Sequence, residues 1–138
     1  MSFELLRTGA VIRYPYLWAR EAARGETEGR KLRPIAVGVR VPKPHGNDVL
    51  VLFPITSQRP ARGRFSAEIP AAEKRRAGLD TAIRLWIVFD EYNQDAIGQS
   101  FYLQPKTPLG YFSKSFFLPL LREFIRRRSQ VRVVGRER

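Results

Sequence analysis

The sequence predicts a mainly β (α+β) domain: a small barrel with an amphipathic helix near its C-terminal end. Three observations carry that prediction. Five or six short apolar or alternating runs are separated by polar stretches rich in Gly and Pro. Ser115 to Arg128 is the one convincing segment of length with three-and-four apolar spacing. The regular strand–helix alternation of a doubly wound α/β fold is missing. The 138 residues suffice for one domain with a single core, and no internal repeat or second domain is visible.

In chain order, Ala10 to Tyr14 reads as a first strand, and Pro15 after it excludes a central ladder position. Ala19 to Leu32 is polar, with Gly25 and Gly29, and reads as a long loop. Pro34 to Val41 is the second strand. Pro42 to Asp48 is dense in turn residues and makes a hairpin with a third strand, Val49 to Ile55. Near-continuous apolar runs of this kind mark strands buried on both faces or deep in a small barrel. Gln58 to Arg64 is an exposed loop with arginines at 59, 62 and 64. Phe65 to Ile69 alternates as a short strand. Pro70 to Arg76 is a helical turn with Gly78 as its C-cap. Ala82 to Phe89 is a strand that ends at Asp90-Glu91, and Phe101 to Leu103 is a further candidate strand. In the long helix Phe117, Leu120, Leu121, Phe124 and Arg128 share a face, and Pro119 is placed in the first turn, where its missing N–H costs little. Residues from about 130 to the end are an edge strand or a basic tail.

Composition narrows the function classes. Cysteine is absent and there is one histidine, His45, which argues against a disulfide framework, a thiolate or histidine metal site and a Ser-His-Asp triad. No metal or other cofactor is expected. No stretch approaches the roughly 20 apolar residues of a membrane span, and no apolar segment follows a basic start, so a cytoplasmic protein is expected. The net charge is +12, which favours a polyanionic partner. Seven arginines and two glutamates lie between Leu121 and Arg138, and the remaining excess is spread over the body.

Two strand ends draw attention. Glu28 to Pro34 is a cationic stretch (Arg30, Lys31, Arg33) feeding the second strand. Arg33 precedes a proline, so its backbone is driven to the extended region and its side chain leaves at a strand start. Thr56 and Ser57 follow the third strand where it surfaces. A guanidinium and a hydroxyl pair on adjacent strand ends make a floor for a phosphate. The plainer readings are an Arg33–Glu28 ion pair, a turn capped by Thr56, and Asp90 and Glu91 as a strand end.

In this register the chain resembles the MazF/PemK family of toxin endoribonucleases, in a divergent PemK-like branch. The resemblance rests on Gly9-Ala10-Val11-Ile12, on Glu28 followed by Arg33-Pro34-Ile35-Ala36-Val37, and on Pro54-Ile55-Thr56-Ser57. It continues through Ala67-Glu68-Ile69-Pro70, Gly78-Leu79-Asp80 and Trp86-Ile87-Val88-Phe89-Asp90-Glu91-Tyr92-Asn93. It implies an SH3-like barrel of the MazF/PemK/CcdB type and a homodimer whose groove takes single-stranded RNA. It further implies metal-independent cleavage through the 2′-hydroxyl and an acidic antitoxin protein as partner. In this scheme Arg33 clamps the phosphate, Thr56 donates to it, and Glu28 or Asp90 is the base. Tyr14, Tyr16 and Trp18 offer faces for bases, while Arg30, Lys31, Ser57 and Arg59 contact the RNA. Val88 stands where family members often place an arginine, and Lys31 or Arg30 is the stand-in for the general acid. The alternative is a non-catalytic barrel that binds nucleic acid or protein. A related barrel family acts instead on a topoisomerase.

Overall fold

The computed structural model describes residues 3–27, 31–98, 103 and 107–136. Eight strands form a curled, largely antiparallel sheet: β1 (Ala10–Tyr14), β2 (Arg33–Val41), β3 (Val49–Thr56), β4 (Ser66–Glu68), β5 (Trp86–Val88), β6 (Glu91–Ala96), β7 (Gly110–Tyr111) and β8 (Arg132–Gly135). The helices are α1 (Ala19–Ala23), α2 (Ala71–Arg76) and α3 (Lys114–Arg126).

The hairpin of β2 and β3 is the spine. Its apolar runs are buried on both sides because the sheet carries hydrocarbon on each face. Val11, Ala36, Phe53 and Ile55 pack with Phe89, Phe117, Leu121 and Phe124. Ile12, Ile35, Val37 and Leu52 pack with Leu6, Tyr14, Tyr16 and Trp18. Phe53 is central to the first layer, 4.8 Å from the rings of both Phe89 and Phe124. The β2–β3 register shifts at Gly38, where a Cβ would stand 2.3 Å from the Phe53 ring. Only glycine leaves the ring that space, and the bulge bends the hairpin. Further bending follows from β3 changing partners: Val49 to Leu52 pair with β6, whereas Ile55 and Thr56 pair with β5.

Helix α3 covers the first layer with Phe117, Leu121 and Phe124. It starts earlier than its apolar spacing suggests. Ser113 caps it and is itself held by Glu73, whose carboxylate accepts from the Ser113 N–H and hydroxyl at 2.9 and 2.7 Å. Pro119 therefore falls in the second turn rather than the first. Its missing N–H leaves the carbonyl of exposed Ser115 to water, and the helix tolerates it. Gly78, just beyond α2, adopts φ +71, and its bare Cα lets the Leu109 carbonyl approach.

Three further expectations change. The stretch after Trp18 is not all loop: α1 forms there, with the Glu21 carboxylate accepting the Trp18 N–H at 3.1 Å. The strand expected from Ala82 to Phe89 is confined to Trp86–Val88. The chain does not leave the sheet at Asp90-Glu91; it re-enters as β6, whose buried residues include Glu91, Asn93 and Asp95. β8 is an edge strand, parallel to β6. The candidate strand at Phe101–Tyr102 lies outside the described residues, and Leu103 is buried. No helix among the described residues is long and apolar enough to cross a membrane.

Candidate functional site

The pairing of β2 with β3 fixes the centre of the site. The ladder ends with Ile35 opposite Pro54, and Arg33 and Thr56 each lie two residues beyond that pair, on adjacent strand ends. Both side chains then leave the sheet on one face, at neighbouring strand ends. They line a cleft of about 640 Å³, together with Lys31, Ser57 and Arg59. Trp18 is also in its wall. Six residues proposed from the sequence thus converge, although they come from three separate stretches of chain.

Two buried donors in this wall have no acceptor among the described residues. The Nε of Arg33 and the Nε1 of Trp18 are out of water and unbonded. A buried N–H without a partner costs about 1–3 kcal/mol, so both would gain from an acceptor brought by a ligand. Arg33 lies over the Trp18 ring, with its guanidinium carbon 5.5 Å from the ring centroid. Arg20 stands over the same ring at 4.8 Å. Lys31, Arg33 and Arg59 form no ion pair among the described residues. The Thr56 hydroxyl oxygen accepts the Gln58 N–H at 3.0 Å, which leaves its proton available for donation into the cleft. One wall is apolar: Leu32, Ile83 and Leu109 line the cleft and are exposed.

Several proposed roles are not open to their residues. Tyr14 is fully buried, and its hydroxyl donates to Asp95 at 2.5 Å, so its ring presents no face to a base. Trp18 is 5% exposed, and its ring is occupied by arginines. Tyr16 is buried in the same layer. Both Asp90 oxygens accept from Arg64, at 2.6 and 2.7 Å, and one also accepts the Phe65 N–H. Asp90 is thus the seat of a guanidinium and does not line the cleft. Glu28 and Arg30 lie outside the described residues.

Sequence reasoning missed Arg64 and Asp80. Arg64 lines the cleft, and the Asp90 carboxylate beside it pushes its guanidinium above its ordinary range, fixing the charge. Asp80 lines the cleft as well, with one oxygen accepting the Ala82 N–H. The residues before each, Gly63 and Gly78-Leu79, mark turns, but only the folded chain shows which loops meet.

Behind the cleft is a polar layer organised by Glu91. One of its oxygens accepts from the Tyr16 hydroxyl at 3.0 Å and the Ala19 N–H at 2.9 Å; the other accepts from Arg64 at 3.2 Å. Asn93 holds both the N–H and the carbonyl of Leu17, at 2.9 and 2.7 Å. Arg136 donates to the Pro15 carbonyl and to Asn93. The segment carrying Trp18 is thereby tied to β6.

This layer has a pH consequence. Burial, and then the Glu91 charge, push the Tyr16 phenol well above its ordinary value of 10. The unfolded chain loses that proton first. The contribution of Tyr16 is therefore intact below pH 10 and lost as pH rises from there toward the folded value. Urea midpoints measured between about pH 8 and pH 11 should fall at the upper end, and Tyr16→Phe should flatten that fall. An equal fall in the variant would assign it to other groups.

Compared with known proteins, the chain matches no protein-family model and no curated sequence.

Proposed function

We propose that the cleft binds single-stranded RNA and cleaves it through the RNA's own 2′-hydroxyl, in the manner of MazF/PemK toxins. The observation that carries this reading is the convergence of Arg33, which has no ion-pair partner among the described residues, with the Thr56 hydroxyl on neighbouring strand ends. In this reaction the 2′-oxygen bonds to phosphorus, the bond to the 5′-oxygen breaks, and that oxygen takes a proton. Arg33 grips the non-bridging oxygens as charge builds on them, and Thr56 donates to the same group. Lys31 or Arg30 protonates the leaving oxygen. Arg64, held by Asp90, supplies a fixed guanidinium of the kind that Val88 does not. With Asp90 engaged, the base is Asp80 or Glu28.

The SH3-like form of the barrel belongs to the same proposal. A curled antiparallel sheet covered by an amphipathic helix near the chain's C-terminal end supports it. The homodimer, the acidic antitoxin and the cytoplasmic setting that the family implies are part of the same proposal. A second reading, binding without cleavage, draws on the engagement of Asp90.

The test is incubation of the purified protein with unstructured RNA in EDTA. Cleavage to 2′,3′-cyclic phosphate and 5′-hydroxyl ends is expected, slowed roughly 100-fold in Thr56→Ala, the cost of removing one donor from developing charge. Salt-sensitive binding with intact RNA would favour the second reading. Neither binding nor cleavage would end both.

A further inference from the structure

A second cleft lies on the other side of the Arg59–Arg64 loop. Its volume is about 620 Å³, and its lining includes Arg59, Arg62, Arg64, Ser66, Glu68 and Trp86. The loop is a shared wall: Arg59 and Arg64 line both clefts, whereas Arg62 lines only the second and Arg33 only the first.

The two floors are joined by strand register. Tyr14 pairs with Arg33, Thr56 with Trp86, and Trp86 with Glu68. Arg33 and Thr56 each lie two residues beyond the Ile35–Pro54 pair, so these residues follow one row across five strands, on the same face of the sheet. At about 4.8 Å between neighbouring strands, Trp86 lies roughly 10 Å from Arg33 along this row. An extended single strand covers that distance in a few nucleotides.

The chemistry at the far end suits a polyanion. Glu68 is the cleft's one carboxylate among the described residues, and Arg84 takes both its oxygens, at 2.7 and 2.9 Å. The Arg84 guanidinium also lies over the buried Trp86 ring at 5.0 Å, and the outer face of this exposed guanidinium, not the covered ring, is the plane on which a base can stack. Arg59 and Arg62 form no ion pair among the described residues.

We propose that this second cleft is a further phosphate subsite for the same single-stranded nucleic acid, which runs across the strands from Arg33 to Trp86. The proposal rests on the reading of the first cleft as an RNA site and adds a direction and a minimum length to it.

The experiment measures the anisotropy of labelled, uncleavable 2′-O-methyl oligouridylates of two and eight nucleotides at several salt concentrations. Arg62→Ala should weaken the octamer about tenfold and leave the dinucleotide unchanged. It should also lower the octamer's salt slope by about 0.7, one phosphate contact. Arg122→Ala, an equal loss of charge on exposed α3, should change neither ligand. Equal weakening of both lengths, or none, in Arg62→Ala would overturn the second subsite and leave the first standing. If the unaltered chain binds neither oligonucleotide, the RNA reading fails and this inference fails with it.

Discussion

Replacing Arg33 with alanine is expected to slow RNA cleavage by roughly 100- to 1,000-fold, the usual cost of removing a preorganised donor from developing charge. Stability should be unchanged or slightly raised. The balance of local terms decides this. Arg33 gains from stacking on Trp18, about 0.5–1 kcal/mol for a partly exposed cation–π contact. It bears a buried Nε with no acceptor among the described residues, a penalty of about 1–3 kcal/mol. A side chain kept for packing would not show that deficit. The check is a single-turnover cleavage rate beside a urea melt on the same preparation. A loss of activity that tracks a loss of stability would reduce Arg33 to a structural residue.

The largest effect on stability is expected at Glu91. Alanine there leaves the Tyr16 hydroxyl and the Ala19 N–H without an acceptor and removes one partner of Arg64. Breaking a buried, hydrogen-bonded charge in this way costs about 3–5 kcal/mol. For a chain of this size that lowers the melting temperature by more than about 10 °C. Glu91→Gln keeps one acceptor and should fall between. Glu68→Ala, which breaks an exposed pair with Arg84, should melt with the unaltered protein. RNA affinity should fall in Glu91→Ala even below its melting range, because Trp18 and Arg64 are both placed through this carboxylate. A melting temperature within a few degrees of the unaltered chain would show that the polar layer carries little.

These expectations separate what was legible in the sequence from what was not. β1, β2, β3 and α3 are visible because their apolar spacing matches the geometry of a buried strand or a one-faced helix. Arg33 and Thr56 are visible for the same reason, since each ends an apolar run. β6 is not. Glu91, Asn93 and Asp95 alternate as a strand should, but the inward-facing set is polar, and periodicity rules score it as surface. What keeps them inside is partners 27 to 81 residues away, and no local window contains those. α1 is similarly obscure: five residues are too few to form a helix alone, and Ala19 relies on Glu91 from another strand. Asp90 looked like a free acid because Arg64, which occupies it, lies 26 positions earlier.

The two clefts are parted by a segment that the rest of the molecule barely uses. From Gln58 to Gly63 the side chains are largely exposed, and Arg64 clips the end of the loop to Asp90. Residues could be inserted or exchanged between Pro60 and Gly63 without disturbing any strand. On the proposed RNA reading, substrate preference would be a replaceable part: designed variants would retune which sequence fits by swapping this one partition, while Arg33 and Thr56 stay at their strand ends.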